Sequence, residues 1–249
     1  MRAVVFDTDG VLVDSARLHA AAWKEAFDAC LRAHPPDAPA QRRPFDERED
    51  YRRYVDGKSR LDGALAFLIS RGLRLPEGEM GERPGTESVR AVAAAKERCF
   101  VARLHASGAR TWPGTVRLLH CLRAAAVPCA AVSASRHAWE LLKTAGLMEL
   151  FRTVVDGQEA VRLGLRGKPD PALFLEAVRR LEVTAATAAV VEDALAGVAA
   201  GRRGGFGLVV GVDRTATPKN ARDLCDHGAD VVVGDLGELL TAAPGSAEN

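Results

Sequence analysis

The 249-residue sequence predicts an α/β protein: a doubly wound parallel sheet, interrupted early by an inserted all-helical cap. Three observations carry this expectation. Short, unbroken apolar runs recur along the chain with helical patterns between them; a long, purely helical stretch separates the first run from the second; and acidic, hydroxyl and basic residues gather where the runs end. Strands buried on both faces read as continuous apolar runs. Strands alternating with helices imply parallel pairing with helices on both faces of the sheet.

The first run is Ala3-Val4-Val5-Phe6. Similar runs follow at Cys129 to Val132, Thr153 to Val155, Ala188 to Val191, Leu208 to Val212 and Val231 to Val233. Between them, Val116, Leu119 and Leu122 mark one helical stripe, and Leu141, Leu142 and Ala145 mark another that Gly146 closes. Asp170-Pro171 reads as the cap and first position of a helix carrying Leu173, Phe174, Ala177, Val178 and Leu181. From about Ser15 to Ala106 no strand pattern occurs. Ser15 and Ser59 are suited to cap the first two helices there, and a third carries Val89, Val92, Lys96, Phe100 and Leu104. The expected organisation is a core of residues 1–14 and 107–242, a helical cap of 15–106 over the strand ends, and a disordered tail from 243 to 249.

Composition narrows the partners. A hydrophobic fraction of 47% and a net charge of +1 are those of a globular protein without a bulk attraction to nucleic acid or an anionic membrane. No apolar stretch approaches the roughly 20 residues that span a bilayer. Five scattered cysteines without a CxxC pair fit reduced thiols, and the expected location is cytoplasmic. The run Asp46-Glu47-Arg48-Glu49-Asp50 reads as a solvated, charge-balanced face.

The densest chemical signal is Phe6-Asp7-Thr8-Asp9-Gly10. Asp7 and Asp9 stand two apart at a strand's carboxyl end, where open α/β sheets bind ligands. Two carboxylates about 4 Å apart repel by roughly 4 kcal/mol at an effective dielectric near 20, so the pair calls for a metal, a shared proton or flanking bases. Taken alone it also fits a strand-end turn with solvated acids. Ser133-Ala134-Ser135 follows the second run with a hydroxyl and backbone N–H groups suited to phosphate oxygens. Gly167-Lys168-Pro169 places one of few lysines before a helix, and Glu192-Asp193 ends the fourth run with hard oxygen donors suited to Mg²⁺.

In that order, Asp7-Thr8-Asp9-Gly10, Ser133, Lys168 and Glu192-Asp193 resemble the four motifs of the haloacid dehalogenase superfamily, whose core is Rossmann-like. Asp14-Ser15 with His19 and Trp23, Gly57-Lys58-Ser59-Arg60, and Glu192-Asp193-Ala194-Leu195-Ala196-Gly197 are similar to its β-phosphoglucomutase-like branch. The resemblance implies that Asp7 is a nucleophile forming an aspartyl phosphate and that Asp9 is a general acid and base. It implies Mg²⁺ held by Asp7, the Asp9 carbonyl and Asp193 beside Glu192, with Lys168, Ser133, Ala134 and Ser135 on the phosphoryl group. It further implies that Arg60 grips a substrate's distal phosphate and that His19 is a hinge residue. Arg98-Cys99 and Arg136-His137 stand where that branch carries Lys-Asn pairs. The expected reaction is glucose 1-phosphate to glucose 6-phosphate, by a monomer or weak homodimer acting on a small hexose phosphate. The alternatives are a sugar-phosphate phosphatase, which passes the same intermediate to water, and, more remotely, a non-catalytic binding protein of this fold.

Overall fold

A computed structural model describes residues 1–215 and 217–241, and the expected disordered tail lies outside them. In chain order the main elements are β1 (Ala3–Asp7), α1 (Ala16–Ala33), α2 (Arg60–Ser70), α3 (Val89–Ser107), α4 (Pro113–Ala124), β2 (Cys129–Val132), α5 (Ala138–Thr144), β3 (Thr153–Val155), α6 (Gly157–Leu163), α7 (Ala172–Arg180), β4 (Ala188–Glu192), α8 (Leu195–Arg203), β5 (Leu208–Val212), α9 (Pro218–Asp226), β6 (Val231–Val233) and α10 (Glu238–Thr241). They fall into two units, Met1–Asp14 with Ala109–Asn249, and Ser15–Gly108.

In the first unit the six apolar runs form one parallel sheet, ordered β3-β2-β1-β4-β5-β6. Every residue of β1, β2 and β4 is buried, as double-sided covering demands of a central parallel strand. Val5, Val190 and Val209 from the strands pack with Leu173, Phe174 and Val178 of α7 and with Val198 of α8. Each large side chain so buried contributes about 1.5–3 kcal/mol. The buried face of α4 is Gly114, Thr115, Leu118 and Leu119, rotated from the expected Val116–Leu119–Leu122 stripe. The helix begins at Pro113 immediately after the linker, and Thr115 faces inward to donate to the Val11 carbonyl at 2.9 Å.

The second unit contains no strand among its described residues. Trp23, Phe27, Phe45, Phe67, Leu68 and Val92 belong to one apolar core, with the Phe27 and Phe67 rings stacked at 4.0 Å. Ser59 caps α2 by accepting from the Asp62 N–H, whereas the Ser15 side chain makes no capping bond to α1. The acidic run is not a solvated face throughout. Asp50 is completely buried, accepting from Arg71 at 2.5 Å, Arg43 at 2.8 Å and the Asp46 N–H at 3.0 Å. Its principal partner lies 21 residues away, so a local charge pattern carries no trace of the pair.

Candidate active site at the carboxyl ends of the parallel strands

The register of the sheet brings the predicted motifs together. Asp7 pairs across with Val132 and Phe6 with Val191, so Ser133 follows, and Glu192 ends, a strand flanking β1. The segment after β1 turns back immediately, with Leu12 and Val13 N–H groups both donating to the Thr8 carbonyl at 3.0 Å. Thr8 is pinned in turn by its hydroxyl, which donates to the Val132 carbonyl at 3.0 Å. Gly10 occupies the turn with φ of +81°, and a Cβ there would lie 1.8 Å from the Asp193 carboxylate. Only glycine satisfies both the left-handed backbone and that close approach.

Lys168 is the centre of the charge arrangement. Its ammonium donates to Asp7 Oδ1 and, at 2.6 Å, to Glu192 Oε2, with its side chain 1% exposed. The Phe174 ring lies beneath it, 4.9 Å from the nitrogen. The other Glu192 oxygen accepts from the N–H groups of Asp193 at 3.1 Å and Ala194 at 3.0 Å, which fixes that carboxylate. Burial pushes the Asp7 carboxyl well above the usual carboxylate range, and the nearby Glu192 charge raises it further. Burial alone would lower the Lys168 ammonium, but attraction to Asp7 and Glu192 outweighs that and holds it above the ordinary lysine range.

On the other side of Asp7, Ser133 is buried and donates to Asp9 Oδ2 at 2.8 Å while accepting from the Ser135 N–H at 2.9 Å. Direct hydrogen bonds thus join the sequence-predicted residues in two sets at the same strand ends, Asp7 with Lys168 and Glu192, and Asp9 with Ser133, to which the Ser135 N–H is attached, with Ala134 between the two serines. Asp7, Glu192 and Asp193 each offer a carboxylate oxygen, and these lie within 4.8 Å of one another. Three hard anionic donors at that separation, only partly offset by one ammonium, fit a small divalent cation. The Asp9 carboxylate is not one of this trio and accepts from Ser133.

Arg60 and His19 belong to the helical unit, each with a partner there. Arg60 begins α2 and pairs with Glu97 of α3 at 2.5 Å. His19 is buried in α1, stacked on Phe100 at 4.0 Å, with Nδ1 2.8 Å from the Lys96 ammonium. Lys96 is itself 4% exposed and lies over the Trp23 and Phe100 rings. The buried basic residue of α3 is therefore Lys96, whereas sequence comparison drew attention to Arg98. The available signal was a rare lysine on the inward stripe of Val92 and Phe100. Arg214, whose guanidinium reaches Gly10, went unnoticed altogether.

A parallel sheet whose first strand ends in Asp-x-Asp, with a lysine and two acids at neighbouring edges, defines the class. The chain matches the model of haloacid dehalogenase-like hydrolases over residues 1–205, belongs to that family, and is an enzyme. Within it, the chain is 43% identical over 240 residues to beta-phosphoglucomutases of Mycobacterium bovis and Mycobacterium tuberculosis, spanning 96% of this chain and 92% of each of them. It is 26% identical over 235 residues to a phosphorylated carbohydrates phosphatase of Thermotoga maritima, covering 94% of both chains. The crystal structure of beta-phosphoglucomutase from Clostridium difficile shares the fold, with a TM-score of 0.72 at 22% identity and coverage of 96% and 93%.

Proposed function

We propose that this enzyme transfers a phosphoryl group within a hexose phosphate, interconverting glucose 1-phosphate and glucose 6-phosphate through an aspartyl phosphate on Asp7. The observation that carries this reading is the Asp7–Lys168–Glu192 bridge beside the Asp9–Ser133 hydrogen bond. A buried carboxylate bridged to a cation, with a second acid two residues along the chain, supports the roles of nucleophile, compensating charge and separate acid–base group.

An Asp7 oxygen attacks phosphorus in line, the bond from phosphorus to the ester oxygen breaks, and Asp9 supplies that oxygen with a proton. Asp9, now a carboxylate, accepts a proton from the next hydroxyl as it attacks the phosphoaspartate and releases Asp7. Ser133 holds Asp9 in place for both transfers, and Lys168 offsets the anionic charge gathered at Asp7. Asp7, Glu192, Asp193 and the Asp9 carbonyl are the groups that would hold Mg²⁺. When bound, it supplies electrostatic stabilisation to an anion attacking an anion. Ser133, Ala134 and Ser135 are assigned to the transferring phosphate. Arg60 is assigned to the distal phosphate, a bidentate task suited to a guanidinium that Glu97 already orients. His19 is assigned the hinge role that its family counterparts suggest.

Likeness to the Thermotoga phosphatase supports a second reading, in which water takes the phosphoryl group from Asp7. One assay separates them. The enzyme is given Mg²⁺, β-glucose 1-phosphate and a trace of the 1,6-bisphosphate, and glucose 6-phosphate is measured against free phosphate. Isomer formation without matching phosphate supports the mutase; stoichiometric phosphate without isomer leaves the phosphatase. Asp7→Asn, which keeps the shape but not the nucleophile, is expected to stop both, and full activity in that variant would end the covalent mechanism.

A further inference from the structure

We propose that Arg214 is a positioning residue for the phosphoryl-transfer reaction, setting the path of the chain that carries Asp9 and faces Asp193. The inference rests on the function proposed above. Arg214 follows β5, and no local pattern connects it to the first strand. Yet its side chain is 14% exposed, and the guanidinium reaches three segments of its unit. Nε donates to the Gly10 carbonyl at 3.1 Å, and Nη2 donates to the Val11 carbonyl at 3.4 Å and Thr115 Oγ1 at 3.3 Å. Nη1 donates to the Gly234 carbonyl at 3.1 Å and to Asp235 Oδ2 at 3.4 Å. The guanidinium carbon lies over the Trp112 ring, 4.2 Å from its centroid.

The consequence lies in what Gly10 touches. Its peptide is joined directly to Asp9, whose carboxylate must meet Ser133. Its Cα packs so closely on Asp193 that a methyl group would overlap the carboxylate. A shift of the Gly10 carbonyl therefore moves the acid–base group on one side and loosens the wall against a metal-ligand candidate on the other. The Gly10 N–H already bonds the Val13 carbonyl at 2.8 Å, and Thr115 bonds the Val11 carbonyl, so Arg214 supplies the anchor from the far side of the turn. A planar fork of donors can satisfy carbonyls at several angles while stacking on an indole; an ammonium cannot.

The test compares wild type, Arg214→Lys and Arg214→Ala, with kinetics on a small aryl phosphate and on glucose 1-phosphate, thermal melts, and hydrogen exchange of the peptide covering residues 8–14. Both variants should lose kcat by about 10- to 100-fold with KM little changed, the range seen when partners of a reacting group are removed. The loss should be equal for the two substrates, and exchange should rise in residues 8–14. Guanidinium at sub-denaturing concentration should restore turnover to Arg214→Ala, where sodium chloride at equal ionic strength does not. Variants with kcat within about twofold of wild type would overturn the proposal. So would a loss that guanidinium leaves unchanged or that merely tracks the folded fraction. A wild-type enzyme inactive on every phosphate ester would instead remove the function on which the inference rests.

Discussion

Replacing Lys168 with Met tests the charge balance of the site most directly. The substitution keeps a linear side chain over Phe174 and deletes the ammonium that joins Asp7 to Glu192. At 2.6 Å and an effective dielectric near 20, attraction to Glu192 alone amounts to about 6 kcal/mol. The oxygens of Asp7, Glu192 and Asp193, within 4.8 Å, repel pairwise by about 3.5 kcal/mol or more on the same scale. Desolvation of the ammonium, whose side chain is 1% exposed, opposes much of that attraction. The net expectation is the cost of orphaning a buried charge, about 3–5 kcal/mol. For a chain of this size that corresponds to a fall in melting temperature of roughly 6–20 °C. Melting would be followed by circular dichroism in the presence of a chelator and again with Mg²⁺. Without the ammonium the carboxylates hold a divalent ion more strongly, so Mg²⁺ should raise the variant's melting temperature further than the wild type's. Turnover should fall by about 10²–10³-fold, as when one stabilising donor is lost. An unchanged melt in chelator, or equal stabilisation of both proteins by Mg²⁺, would refute this account of the bridge.

Gly10→Ala places a methyl group on the Asp193 carboxylate and strains a backbone at φ +81°, so the Mg²⁺ concentration for half-maximal activity should rise about 10–100-fold. Magnesium titration of initial rates measures it, and an unaltered midpoint would count against the Asp193 placement. Ser133→Ala removes the donor to Asp9, a hydrogen bond to a charged group worth about 1.5–3 kcal/mol. Its kcat on an aryl phosphate should drop at least tenfold, roughly the lower end of that range. Arg60→Ala should raise KM for sugar phosphates about 10–100-fold while leaving an aryl phosphate's KM unchanged; equal effects on both would take Arg60 out of the substrate site.

The core strands were legible because burial on both faces leaves no room for alternation. Ala3-Val4-Val5-Phe6 and Ala188 to Val191 carry that signature in their composition. The acids, serine and lysine of the site were legible for a related reason: each stands one to three residues beyond such a run or just before a helix. What escaped depended on distant contacts. Asp50 looked like one more surface acid until Arg71 closed on it, and Arg214 looked unremarkable until the turn at Gly10, 204 positions earlier, came within reach. The inward side of α4 was misjudged because Thr115, a polar residue, faces the core to serve the Val11 carbonyl. Periodicity weighs hydrophobicity, and that position was chosen for a hydrogen bond.

The central place of β1 governs how the protein comes into being. Its neighbours, β2 and β4, begin at Cys129 and Ala188, so the first strand synthesised can pair with β2 on one side well before its second neighbour exists. At about 5–20 residues per second, the ribosome leaves β1 without its β4 neighbour for roughly 10–40 s. Meanwhile residues 15–108, with their own aromatic interior, have everything needed to collapse during translation. A nascent chain halted before Ala188 would expose the apolar, unpaired β4-facing edge of β1, and that interval is where chaperone capture of this polypeptide should concentrate.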